Sequence, residues 1–139
     1  WTLARTNPGL LRQAFDARAE LTTDLPAEEE RMIADLVEGF LPASRRMAGV
    51  RNEVAAIDSS ARYDLESISA PILVLHARDD RINSFSVAEA VAARAPEAVL
   101  VGFDRGGHLL LGHHASARAR IASFLTSCAD PEAGALTSP

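Results

Sequence analysis

The sequence has one cysteine, Cys128, so no internal disulfide can form and nothing calls for an oxidising compartment. No cluster of cysteine and histidine takes the spacing of a structural zinc site. Long hydrophobic runs are also missing. None approaches the roughly 20 residues that a membrane-spanning helix needs, and the first residues lack the basic and apolar regions of a secretory signal. Charge is not gathered in blocks either: 19 acidic and 14 basic side chains are interspersed for a net charge of −5, with no basic stripe for nucleic acid or an anionic membrane. The expectation is a cytoplasmic protein with no metal, no cofactor, and neither a nucleic-acid nor a membrane partner.

What is present suits a single globular unit: 139 residues, 47% of them hydrophobic, enough to bury a core. Residues 1–60 read as helices, because apolar side chains recur at helical spacing and no strand-like alternation appears. Leu10, Leu11, Ala14 and Phe15 make a first stripe after Pro8-Gly9. Pro26 suits the first turn of a second helix, Glu28, Glu29 and Glu30 lie where a helix dipole favours negative charge, and Met32, Ile33, Leu36, Val37, Phe40 and Leu41 form its buried stripe. Pro42 closes that helix and opens a third, with Met47, Val50, Val54 and Ile57 on one face. A polar linker follows over residues 58–70, with Tyr63 and Leu65 as its apolar anchors.

The pattern changes at Pro71. Ile72-Leu73-Val74-Leu75 is a short continuous apolar run, as expected of a parallel strand buried on both faces, and it ends near His76. A polar loop carries Asp79 and Asp80. Ser86 and Glu89 then have the spacing of a capping box, continued by Val87, Ala90, Val91 and Ala95 as a helix that Pro96 ends. Ala98 to Phe103 is the second strand-like run, which completes a βαβ unit. Beyond Gly106-Gly107-His108, a last helix carrying Ala117, Ile121, Phe124, Leu125 and Cys128 is expected to pack on the sheet, and the Pro-, Gly- and Ala-rich residues 129–139 read as a flexible tail.

In open parallel sheets, ligands bind beyond the carboxyl ends of the strands, where the Asp79-Asp80 loop and the His108 loop both emerge. A carboxylate on one imidazole nitrogen fixes the tautomer and leaves the other nitrogen to accept a proton. Spacing alone leaves two readings open: an acid–histidine pair, or solvated loop acids beside a histidine that serves a turn or a helix end. Elsewhere, His76 reads as a packing or supporting residue of the same region. His113 and His114 read as surface residues, Arg45-Arg46 as a solvated face, and Trp1 as a residue that packs against a preceding segment.

Pro71 to Asp80 resembles the strand and acid loop of the α/β-hydrolase superfamily, and Gly106-Gly107-His108-Leu109-Leu110 resembles its histidine loop. The order of acid, helix, strand and histidine is also the family's order after the nucleophile. The resemblance implies Asp80 as the triad acid, ahead of Asp79, and His108 as the triad base. It also implies that the helices before Tyr63 are a cap over the active site. Ala77 and Ser84 stand where glycine and proline are common in the family, and no nucleophile elbow occurs, since Ser44, Ser59, Ser60, Ser84 and Ser86 all lack the flanking glycines of G-x-S-x-G.

The resulting fold class is α/β, a partial α/β-hydrolase fold. It comprises a helical cap-like segment (1–60), the C-terminal part of the core (61–128, a parallel βαβ unit and a C-terminal helix) and the tail (129–139). The expected function is that of the C-terminal portion of a cap-bearing, esterase-like hydrolase, with Asp80 and His108 supplied here and a serine or aspartate nucleophile supplied from elsewhere. Expected partners are a small ester-like substrate and either a missing N-terminal half or a second copy paired through an exposed sheet edge. The alternative is a non-catalytic interaction module on the same framework.

Overall fold

A computed structural model describes residues 8–58 and 61–129. In chain order these form α1 (Pro8–Ala14), a 3-10 turn (Ala19–Leu21), α2 (Ala27–Phe40), α3 (Ala43–Ala56), a second 3-10 turn (Leu65–Ser67), β1 (Ile72–Ala77), α4 (Phe85–Arg94), β2 (Ala98–Phe103) and α5 (His114–Ala129). Trp1, Ser59, Ser60 and residues 130–139 of the tail lie outside the described residues.

The two apolar runs pair in parallel, in register from Ile72 opposite Ala98 to Ala77 opposite Phe103. Helix α4 is the crossover between them and packs on both strands. Its first turn differs from the capping-box reading. Ser84, two residues earlier than expected, is the N-cap, and its Oγ accepts the Ser86 N–H at 3.4 Å. Its buried face also differs from the expected stripe. Ala88 is buried, and Ala95 is buried just past its end, whereas Val87 is 58% exposed. Phe85 packs inward on the same side: its ring meets His76 edge-on at 5.7 Å and lies so close to Gly102 that a Cβ there would stand 3.0 Å from Phe85 Cζ.

Neither strand is sealed on both faces. From Ile72 to His76 every residue of β1 keeps some exposure and only Ala77 is buried, and each strand has one hydrogen-bonded neighbour among the described residues. Helix α5 reaches β1, yet along its expected stripe Ala117 is buried while Ile121, Leu125 and Cys128 are exposed. The expected stripe is thus covered only in part, at Ala117 and at half-buried Phe124.

The main core lies between the helical segment and the loop that follows β2. Ala17, Leu21, Ile33 and Leu111 are buried together, with Leu25, Met32 and Leu109 packed around them. Of the stripe expected on α2, Ile33 alone is fully buried and the other five are half-buried. An edge-on contact between Phe15 and Phe40, 5.6 Å between centroids, joins the ends of α1 and α2. The face of α3 is open: Val54 and Ile57 are 63% and 73% exposed. In the linker, Tyr63 is exposed and anchors nothing through its ring. Arg94 holds the linker instead, through Glu66 at 2.7 and 2.9 Å and the Tyr63 carbonyl at 2.8 Å.

Candidate active site

The acid loop begins where β1 ends. Its last tie to the sheet is the Arg78 N–H, which donates to the Phe103 carbonyl at 2.8 Å. Asp80 then turns the chain with its own side chain, as aspartate does in an Asx turn. Its Oδ1 accepts the N–H groups of Ile82 and Asn83 at 2.7 and 2.9 Å. With one oxygen so held, the other is fixed in direction. Asp80 Oδ2 lies 2.9 Å from His108 Nδ1, and His76 Nε2 lies 3.6 Å from the same oxygen, beyond hydrogen-bond reach.

The Asp80 side chain is 4% exposed and that of His108 is 35% exposed. Burial by itself would raise the Asp80 pKa, but the Asn83 N–H, the His108 ring and the Ile82 N–H together outweigh it and hold the carboxyl below its ordinary value. An ionised carboxylate only accepts hydrogen bonds. The proton of a neutral His108 ring must therefore sit on Nδ1, which leaves Nε2 free to take another.

The histidine loop follows from its glycines and from distant carboxylates. Gly106 and Gly107 have φ of +132° and +59°, and a Cβ on Gly107 would stand 2.7 Å from both Asp16 Oδ2 and Leu21 Cδ1. The Gly107 N–H donates to Asp79 Oδ1 at 2.9 Å and the His108 N–H to Asp16 Oδ2 at 3.1 Å. Asp79 thus points away from the imidazole. Its other oxygen takes Arg18 Nη2 at 2.8 Å.

At the far end of the loop, buried Glu29 accepts from Gly112 and His114. His113 and His114 are not the surface residues expected. His113 lies against the Phe103 ring, 4.7 Å between centroids, and His114 Nε2 is 2.8 Å from the Leu109 carbonyl. Arg46 reaches the Gly39 carbonyl at 3.0 Å, and Arg45 is exposed.

Asp16, Arg18 and Glu29 were invisible to motif reading, because their partners lie 61 to 92 residues away. Glu29 alone left a trace. It precedes Ile33 by four residues, so it shares the apolar face of α2, where a carboxylate is out of place unless something pairs with it.

A cleft of about 150 Å³ opens beside the pair, walled by Leu75, His76, Asn83, Gly107 and Leu110. A larger opening of about 450 Å³ lies along Gln13, Glu20 and Arg81 and does not include His108. The acid-oriented imidazole lies at the smaller one. No group of three or more possible metal ligands converges among the described residues, and no helix among them is long and apolar enough to cross a membrane.

The model of a family described as TAP-like protein matches residues 44–136, a span that holds α3 but for its first residue, the whole βαβ unit, Asp80 and His108. No curated protein and no solved structure matches the chain.

Proposed function

The chain belongs to the TAP-like family of the α/β-hydrolases, and on that premise we propose that Asp80 and His108 are the acid and base of an esterase-like active site. One observation carries the reading: the 2.9 Å contact between Asp80 Oδ2 and His108 Nδ1, with the imidazole reaching a cleft. In this role Asp80 holds the tautomer and stabilises the imidazolium, and His108 Nε2 takes the proton of the attacking group and returns it to the leaving group. The substrate class is a small ester.

The nucleophile is a serine or an aspartate carried outside this sequence, by an N-terminal half of the fold. Among the described residues, the outer edges of the two-stranded sheet carry no further strand, which supports such pairing. With serine, His108 activates the hydroxyl. With aspartate, the carboxylate attacks the ester carbonyl and expels the alcohol to leave a mixed anhydride, His108 activates the water that hydrolyses it, and His108→Ala would then trap a covalent adduct visible by mass spectrometry.

The test is to express the chain together with the polypeptide encoded upstream of Trp1 and assay p-nitrophenyl butyrate. Asp80→Asn and His108→Ala should each lower kcat by on the order of a thousandfold. Full activity in the double variant would overturn the assignment.

A second reading, a non-catalytic interaction module, draws on a different observation. Among the described residues no hydroxyl or thiol is hydrogen-bonded to His108. Under that reading the same preparation binds its partner polypeptide but turns over no ester.

A further inference from the structure

The pair is held from outside its own loops. Asp16 lies just past α1, in the cap-like segment, and is 2% exposed with φ at +59°, a conformation that side chains other than glycine seldom adopt. Its Oδ2 accepts two backbone N–H groups, that of His108 at 3.1 Å and that of Arg81 at 3.2 Å. One donor belongs to the base itself and the other to the residue directly after the acid. A single oxygen therefore ties the backbone of both loops at the point where their side chains meet.

The rest of the network keeps that oxygen in place. Arg18 Nε stands 3.1 Å from Asp16 Oδ1, an ion-pair contact in which the N–H is not aimed at the oxygen, so charge attraction and not a hydrogen bond holds it. The same guanidinium grips Asp79 through Oδ2 at 2.8 Å and through the carbonyl at 3.1 Å. Asp79 Oδ1 in turn receives the Gly107 N–H. From the other side, Gly107 packs so tightly on Asp16 that only a hydrogen fits where a Cβ would be.

We infer that Asp16 is a positioning residue for the Asp80–His108 pair, its Oδ2 setting the separation of the acid and histidine loops so that Asp80 Oδ2 meets His108 Nδ1. The inference rests on the proposed roles of Asp80 and His108 and adds a duty to the helical segment: besides any covering of the site, it aligns the two loops. Replacing the carboxylate with an amide keeps the shape but weakens two charge-assisted hydrogen bonds and removes the attraction for Arg18.

The full 139-residue chain, labelled with ¹⁵N, gives the test without any assay. In Asp16→Asn the His108 amide and both ring nitrogens should shift, with the Nδ1–H tautomer less populated. Ala95→Gly, a core variant at the opposite end of the sheet, should lower the melting temperature and leave the His108 ring signals unmoved. Unchanged ring signals in a folded Asp16→Asn chain would overturn the inference. Should that variant not fold, Gly107→Ala presses on the same contact from the loop side, and an unmoved His108 ring there overturns it equally.

In the assembly with its upstream polypeptide, Asp16→Asn should lower kcat by on the order of tenfold to a hundredfold with KM little changed. An equal loss through KM alone counts against positioning. If the wild-type assembly hydrolyses no ester while the ring signals move as expected, the hydrolase reading fails and the loop alignment stands. Active wild type with unmoved rings has the opposite meaning.

Discussion

Glu29 on α2 accepts the backbone N–H of Gly112 at 2.5 Å across 83 residues of sequence, and its other oxygen lies 3.3 Å from the His114 N–H. A carboxylate from one helix thereby serves the first residue of another and closes the end of the histidine loop. Negative charge at a helix N-terminus is favourable in any case; here burial makes it necessary, since two N–H groups would otherwise lose their acceptor.

Removing that acceptor should be costly. Glu29→Ala is expected to lower the unfolding free energy by about 3 kcal/mol, the range for hydrogen bonds to a buried charged group. Glu29→Gln, which keeps one acceptor oxygen, should lose less than half as much. Urea denaturation of the two variants beside wild type measures both. Equal stabilities for Glu29→Ala and wild type would contradict the capping role.

Asp80 should leave a mark on acid stability. Its folded-state pKa is depressed, so its contribution is complete above the ordinary value of 3.8 and is lost as pH falls through the lower folded value. Glu66, held down to about 2 by Arg94, contributes on the same acidic limb. The difference between wild type and Asp80→Asn isolates the first: the gap in denaturation midpoint should be widest near neutrality and should narrow below pH 3.8. A gap independent of pH would mean that Asp80 is not held as a carboxylate by its hydrogen bonds.

Two glycines with left-handed backbones should respond differently to alanine. Gly112, with φ of +81°, has open space where a Cβ would go, so Gly112→Ala meets only the backbone penalty of about 1–2 kcal/mol. Gly107, with φ of +59°, meets Asp16 and Leu21 at 2.7 Å as well. Gly107→Ala should therefore lose more, by about a further 1–3 kcal/mol for overpacking. Thermal melts compare them, and the reverse order would refute the close packing of Asp16 under the loop.

Apolar residues of similar sequence pattern should differ as sharply. Ile33 is 1% exposed in the core, and Ile33→Ala should cost about 2–5 kcal/mol. Val54 and Ile57, on the open face of α3, should change stability by less than about 0.5 kcal/mol when replaced by serine. Chemical denaturation of the isolated chain tests both. A large loss on Ile57→Ser would show that the α3 face is covered in solution.

Much of the fold was legible because it depends on short-range patterns. Continuous apolar runs bounded by polar loops marked β1 and β2, whose observed ends lie within a residue or two of the expected ones. Proline and helical periodicity marked α2 and α3. The start of α4 differs from the capping-box reading because serines at positions 84 and 86 can both cap, and only the tertiary docking of Phe85 against His76 and Gly102 distinguishes them.

Local patterns alone account for the order of elements and for an acid and a histidine at the same ends of neighbouring strands, since turn chemistry and a continuous apolar run are properties of short segments. Tertiary structure alone decided which way each loop acid faces: Asp79 toward Arg18 and the Gly107 N–H, Asp80 toward His108. It also decided which apolar faces are covered, and it recruited Asp16, Arg18 and Glu29 from the helical segment. Those partners answer to the need of buried N–H groups and charges for a counterpart, a need satisfied across space that no spacing along the chain records.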